Sequence, residues 1–235
     1  MTYKTTKRVL AGGALLALLT STAPAVTMLI DFGRTDNQTT TGNFNNVHGA
    51  SSAIATPAVA LIDSAGGATG ITLNTDFTNG GSWAGTGADY TGPYPGILGG
   101  QPSTALIDSM FIRAAASTSL SLTGLDPNFT YQIEIYGARG NNGGANTEWT
   151  ITDGNGPNAA AYDVFENATE VVSLAGLVPD GSNEINILYT TTNNVERPRG
   201  GLNFMRITST PVPEPSSAFL LAAFAGAGFL RRKRA

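Results

Sequence analysis

Between residues 26 and 210, apolar positions recur every second residue in short runs, and clusters of Gly, Asn, Asp and Pro separate the runs. A period of two puts successive side chains on opposite faces of an extended chain, whereas the 3.6-residue period of a helix is nowhere sustained. The stretch therefore reads as all-β. The clearest strand is Phe129–Tyr136, with Tyr131, Ile133 and Ile135 on one side and Gln132, Glu134 and Tyr136 on the outward one. Residues 184–189 repeat the alternation, with Ile185, Ile187 and Tyr189 inward. Similar runs predict strands at 28–32, 58–63, 71–77, 105–113, 119–122, 147–152, 160–165, 170–174 and 202–208. Eleven strands without intervening helices imply a two-sheet β-sandwich, because a single open sheet would leave one apolar face in water.

Turn chemistry agrees with this pattern. Leu125-Asp126-Pro127-Asn128 and Val178-Pro179-Asp180-Gly181 each precede a strong strand, Pro fixing φ and Asn or Gly accepting positive φ. Leu-Ile-Asp occurs at Leu29, Leu61 and Leu106; the unequal spacing argues against a solenoid, so each reads as two apolar residues closed by a strand-ending carboxylate. The Gly/Asn/Thr-rich stretch 79–103 is the longest expected loop, suited to a lid or a binding rim.

The pattern changes at both ends. Lys4, Lys7 and Arg8 precede an uncharged run at 9–19 and small residues ending in Ala23-Pro24-Ala25. This order is that of a secretory signal peptide, residues 1–25, with Ala23 and Ala25 framing cleavage after Ala25. The run is too short to cross roughly 30 Å of hydrocarbon. After the sandwich domain at 26–210, prolines 211, 213 and 215 make 211–217 a stiff tether. Residues 218–230 are uncharged and end in Arg231, Arg232, Lys233 and Arg234. Such a helix is about 20 Å long, a short transmembrane helix that spans only if its cations snorkel and the bilayer thins. The basic tail 231–235 would stop transfer and stay cytoplasmic.

Composition then removes whole classes of function. The chain has no cysteine and one histidine, His48, which excludes disulfides, thiolate chemistry and multi-histidine metal sites. Seven of its 13 basic residues lie in the two terminal segments. Between Asp31 and Glu214 the chain has six arginines against 17 acidic residues, a net charge of −11, and would repel a phosphate backbone; nucleic acid is excluded as a partner.

Val212-Pro213-Glu214-Pro215-Ser216, the short apolar run and the terminal cations resemble the PEP-CTERM sorting signal of Gram-negative bacteria. The resemblance implies that an exosortase, a membrane cysteine protease, recognises Pro213, Glu214 and Pro215 and removes the tail. It also implies transient inner-membrane anchoring, then the cell surface or extracellular matrix, often alongside exopolysaccharide. The body is similar to galactose-binding-like jelly rolls, on Ile30-Asp31-Phe32-Gly33, Ser121-Leu122-Thr123-Gly124-Leu125-Asp126-Pro127, Tyr136-Gly137-Ala138-Arg139 and Gly201-Leu202-Asn203-Phe204-Met205. That likeness implies a carbohydrate-binding module or an appendage of a hydrolase.

Candidate chemistry is sparse. A lone imidazole and no G-x-S-x-G elbow argue against a serine hydrolase. Glu134, Glu148 and Glu166 are the carboxylates a glycosidase would draw on, but outward strand positions and loop solvation explain them better, Glu134 standing at an outward position of an alternating strand. Sugar binding needs flat aromatics and short polar groups. Trp83, Tyr90 and Tyr94 in the long loop, with Arg139 after a strong strand and Asn141 and Asn142 beside it, form the expected rim site, the alternative being aromatics that seal the sandwich. Trp149 reads as core. Structural Ca2+ has two candidate sites, Asp31 with Asp36 and Asn37, and Asp153 with Asn155, the alternative being Asx-turn capping. The expected activity is therefore non-catalytic contact with extracellular polysaccharide or matrix partners, against a secreted glycan-active enzyme or a coat subunit.

Overall fold

A computed structural model describes residues 24–34, 39–49, 58–76, 81–84, 92, 96–98, 100–113, 117–140, 146–191 and 199–212. Its strands are β1 (Val26–Arg34), β2 (Phe44–Gly49), β3 (Val59–Ile62), β4 (Ala68–Asp76), β5 (Gly81–Ala84), β6 (Ser109–Arg113), β7 (Ser117–Thr123), β8 (Phe129–Tyr136), β9 (Asn146–Asp153), β10 (Gly156–Asp163), β11 (Val172–Leu177), β12 (Ile185–Thr191), β13 (Arg199–Leu202) and β14 (Phe204–Pro211). One helical turn, α1 (Thr104–Ile107), follows a 3-10 turn at Gly96–Leu98. The five-stranded sheet runs β11-β8-β14-β1-β2 and the six-stranded sheet β10-β9-β12-β7-β4-β3. A third, small sheet β13-β6-β5 accompanies them. Only β1 and β2 pair in parallel; the other described pairs are antiparallel.

The two main sheets form the expected sandwich. Met28, Ile30 and Phe32 of β1, Ile133 and Ile135 of β8, and Met205 and Ile207 of β14 share one core with Leu73, Leu120, Leu122, Trp149, Ile151, Ile185, Ile187 and Tyr189 of the six-stranded sheet. Each such side chain contributes about 1.5–3 kcal/mol by leaving water. Tyr131 closes one end of this core: its hydroxyl accepts the Asp126 N–H at 2.8 Å and ties the β7–β8 turn to the strand it introduces.

The expected strand at 105–113 is corrected. Ala105 and Leu106 lie in α1, where the Ala105 and Leu106 N–H groups donate to Pro102 and Ser103, and the strand starts only at Ser109. The reason is a second apolar cluster. Asp31, Phe204 and Tyr136 form one cross-strand row, on the face of the five-stranded sheet away from the core. Tyr136 and Phe204 are covered there by Leu98, Ala105 and Leu106, with Leu29 and Phe44 packed at the edge. Tyr136, expected outward, is therefore fully buried.

Glu134 is corrected in the same way, since it is buried rather than solvated. It faces Arg206 directly across β8–β14 and accepts both Nε and Nη2 of that guanidinium, Nη2 at 2.8 Å. The fork holds the Arg206 pKa above its ordinary value, chiefly through the hydrogen bonds to Glu134.

The expected strand at 202–208 is broken at Asn203, and the three Leu-Ile-Asp carboxylates take three roles. Asp31 sits inside β1, Asp63 follows β3, and Asp108 links α1 to β6. The strand expected at 160–165 instead occupies Gly156–Asp163, and β2, β5 and β13 lie where no strand was expected. The tether also starts later than expected, because β14 continues through Pro211. The signal run 9–19, Ala23 and the apolar run 218–230 lie outside the described residues, and no helix among the described residues is long and apolar enough to cross a membrane.

Candidate functional site

Backbone pairing places Trp83 on β5, an edge strand of the small sheet, opposite Met110. Tyr90, Tyr94, Asn141 and Asn142 lie outside the described residues. Arg139 does not lie on a rim. It is 2% exposed, its guanidinium stands 4.5 Å over the Phe111 ring, and Nη1 donates to Ser109 Oγ at 3.2 Å. Its N–H donates to Val164 O and its carbonyl accepts the Glu166 N–H, both at 2.8 Å. Arg139 thus ties the Val164–Glu166 segment to β6, a cation kept under cover by an aromatic face and polar bonds. The loop-rim placement of Arg139 is corrected to an interior one.

Beside it lies an aromatic group fed by three strands. Trp149 of β9 stacks on Tyr189 of β12, centroids 4.2 Å apart and planes 4° from parallel, and Tyr162 of β10 joins the same core. Trp149 Nε1, Tyr162 Oη and Tyr189 Oη are buried, and among the described residues none makes a hydrogen bond of ordinary geometry. Burial raises the pKa of Tyr162 and of Tyr189 far above the ordinary tyrosine value, because a phenolate there would lose its solvation. A raised folded-state pKa stabilises fully below the unfolded value near 10, and that stability is lost as pH climbs beyond it. Unfolding free energy will be insensitive to these two groups at neutral pH and will fall by roughly 1.4 kcal/mol per group per pH unit above pH 10. Denaturation of the Tyr162→Phe/Tyr189→Phe variant at pH 7 and pH 11 checks this; an alkaline loss as large as in wild type would contradict it.

The cation candidates are engaged otherwise. Asp31 is fully buried; Oδ2 accepts the Thr40 N–H at 3.3 Å and lies 3.6 Å from His48 Nε2. Thr40 Oγ1 donates to Thr104 Oγ1 at 2.9 Å, joining this group to α1. Asp36 and Asn37 lie outside the described residues. Asp153 Oδ1 accepts the Asn155 N–H and Oδ2 the Val178 N–H, each at 3.0 Å, so the carboxylate organises two turns. Among the described residues, no group of three His, Asp or Glu side chains is arranged to hold a metal.

A cavity of about 270 Å³, unmarked by any sequence pattern, lies at the end where β1 begins and β14 finishes. Val26, Met28, Ile71 and Phe129 give it apolar walls, and Asp63 and Asp126 line it with carboxylates. Asp63 Oδ1 accepts the Ala65 and Gly67 N–H groups, and Asp126 Oδ1 accepts the Asn128 N–H. The Leu61-Ile62-Asp63 and Leu125-Asp126-Pro127 sequences were the only signal for Asp63 and Asp126. Of the glycosidase candidates, Glu134 is occupied by Arg206, while Glu166 is exposed with φ 45°.

No curated protein matches the chain. Among solved structures it is similar to TmCBM61 in complex with β-1,4-galactotriose, at 10% identity over 58% of this chain and 86% of that one, TM-score 0.33. It is similar to the CBM22-1 xylan-binding domain of Paenibacillus barcinonensis Xyn10C, at 15% identity over 60% and 87%, TM-score 0.36. A third is the CBM36-1 domain of a multidomain xylanase from the hindgut metagenome of Trinervitermes trinervoides, at 13% identity over 58% and 95%, TM-score 0.30. Residues 211–234 match the PEP-CTERM protein-sorting motif, which marks the chain as an exported protein.

Proposed function

We propose that the chain is an exosortase substrate, exported under the signal at 1–25, held briefly in the inner membrane by 218–230, and delivered to the cell surface or extracellular matrix. There its sandwich makes non-catalytic contact with extracellular polysaccharide. The observation that carries the reading is the sorting motif at 211–234 following directly on the last strand of the sandwich. Its position makes the β domain the cargo of the signal. Contact with a neutral polymer suits a body whose net charge of −11 repels polyanions. The proposed contact residues are Trp83, on the edge strand β5 of the small sheet, with Tyr90 and Tyr94 from the same Gly-rich stretch.

Two experiments test it. Glu214→Ala will leave an uncleaved chain in the membrane fraction; a C-terminal mass unchanged from wild type would contradict the sorting role. Purified residues 26–212 will co-sediment with the producing organism's polysaccharide, and Trp83→Ala/Tyr94→Ala will weaken binding about tenfold, the effect of removing roughly 1.4 kcal/mol of stacking. Repeating the measurement without Ca2+ tests Asp31, Asp36, Asp153 and Asn155 as ligands. Absence of binding in both conditions would remove the polysaccharide reading. Released reducing sugar would favour a glycan-active enzyme, and self-association without sugar a coat subunit.

A further inference from the structure

We infer that removal of the signal peptide completes the cavity at the chain-entry end: the α-ammonium that cleavage creates on Val26 pairs there with the Asp63 and Asp126 carboxylates, a lock that the precursor lacks. The inference rests on the export reading above, with cleavage after Ala25, and adds what that cut does to the fold.

The chemistry of the cavity suits a cationic donor. Its lining holds Asp63 and Asp126 and no Lys, Arg or His. Each carboxylate uses Oδ1 on its own turn, Asp63 for the Ala65 and Gly67 N–H groups and Asp126 for Asn128. Among the described residues, Oδ2 of each accepts no hydrogen bond. The lining hydroxyls have no proton to offer them, since Thr69 Oγ1 donates to Leu61 O, Tyr131 Oη to Asp126 O and Ser209 Oγ to Val26 O. Two carboxylate acceptors beside apolar walls favour a charged donor over a neutral one.

Val26 stands between the two carboxylate turns. It is the first residue of β1 and itself lines the cavity. On one side the Ser64 N–H donates to Thr27 O at 2.7 Å, which lays the Asp63 turn against the start of β1. On the other, Val26, Ser209 and Tyr131 form one cross-strand row over β1, β14 and β8, and the Tyr131 hydroxyl accepts the Asp126 N–H at 2.8 Å. Gly124, at φ 76°, lets that second turn close on β4, where a Cβ would meet Gly70 O at 2.6 Å. Both turns are thus held in place by bonds and contacts that do not involve the Val26 nitrogen.

In the precursor that nitrogen is a neutral amide. Hydrolysis of the Ala25–Val26 bond puts the OH of water on the Ala25 carbonyl and its H on the Val26 nitrogen, which takes a further proton from solvent. The new ammonium is held only through its own residue and can turn about the Cα–C bond toward the carboxylates. Opposite charges beside it favour the protonated form and raise its pKa. Tyr131 is the other titratable side chain in the described lining, and burial holds its pKa above the ordinary tyrosine value. The stability gained is full below the free α-amino value of about 7.7–8.0 and is lost as pH rises through the folded midpoint.

The exported protein, purified from its producing cells with 13C-labelled valine, supplies the test. N-terminal sequencing reads its first residue, expected to be Val26. The Val26 NMR signals, followed from about pH 6.5 to about pH 10.5, are expected to show a midpoint above about 8.5, against about 7.7–8.0 for a free α-ammonium. Asp63→Asn/Asp126→Asn keeps the oxygen that each turn uses and is expected to bring the midpoint back to about 8. A chain made to begin at Ala25 moves the ammonium one residue outward and is expected to titrate at that value too. A wild-type midpoint below about 8.5, or a raised midpoint that survives either change, would overturn the inference alone. A mature wild-type chain that begins at another residue would instead overturn the signal reading on which it stands.

Discussion

Replacing Asn203 by Ala will lower the free energy of unfolding by about 4–6 kcal/mol, a large share of the 5–15 kcal/mol typical of a whole domain. Asn203 is fully buried between β13 and β14, and its side chain serves three backbone groups. Nδ2 donates to Leu106 O and Asp108 O, each at 2.9 Å, and Oδ1 accepts the Ala138 N–H at 2.8 Å. Its own main chain bridges two further strands, N–H to Tyr136 O at 3.0 Å and carbonyl to Phe32 N–H at 2.9 Å. One residue therefore binds α1, β6 and the end of β8 to the five-stranded sheet. An alanine leaves two carbonyls and one N–H buried without partners, each costing about 1–3 kcal/mol. Asn203→Asp is no rescue, since it keeps the acceptor but turns two donors into a buried carboxylate facing two carbonyls. Urea denaturation monitored by circular dichroism checks this, and a loss below about 2 kcal/mol for Asn203→Ala would contradict it.

Asn203 also shows what a sequence reading misses. The run 202–208 alternates well enough to read as one strand, and nothing local marks Asn203 as a break. The break is visible only through partners up to 97 positions away in the chain. The same holds for the outer face of the five-stranded sheet. Alternation in Phe129–Tyr136 was legible, and it placed Tyr131, Ile133 and Ile135 inward correctly. What covers the other face was not, because α1 is a single turn too short to show a helical period, and its Ala105 and Leu106 read as strand. Glu134 and Arg139 followed the same logic: local pattern made both solvent-facing, while Arg206 and Phe111 come from strands far away in sequence.

Turns were legible where their chemistry is local. Asp126 and Asp180 each cap their own turn, Asp180 Oδ1 accepting the Ser182 N–H at 2.8 Å and the Glu184 N–H at 3.0 Å. Strands β2, β5 and β13 escaped notice because Asn-, His- or Gly-rich sequences such as Phe-Asn-Asn-Val-His-Gly carry little β propensity and are held by their neighbours. The cavity at the chain-entry end was likewise invisible, since Val26, Ile71 and Phe129 meet only through three different strands.

Trp149→Ala is the second large loss expected, about 4–6 kcal/mol. The indole is fully buried in β9, with Ala160 of β10 and Tyr189 of β12 opposite it on either side. Truncating a core aromatic to alanine costs about 3–5 kcal/mol through lost burial and the cavity left behind. The face-to-face contact with Tyr189 at 4.2 Å adds about 0.5–1.5 kcal/mol. Trp149→Phe keeps an aromatic plane against Tyr189 and removes an indole N–H that makes no hydrogen bond of ordinary geometry among the described residues, so it is expected to cost under about 2 kcal/mol. The chain has only two tryptophans, which makes the measurement direct. In a Trp83→Phe background all indole emission comes from Trp149, blue-shifted in the folded protein and red-shifted on unfolding. If Trp149→Ala in this chain unfolds at nearly the wild-type urea midpoint by circular dichroism, Trp149 does not carry the core. If Trp149→Phe retains polysaccharide binding while Trp83→Ala loses it at unchanged stability, packing and contact are divided between the two tryptophans, one between the sheets and one at the sheet edge.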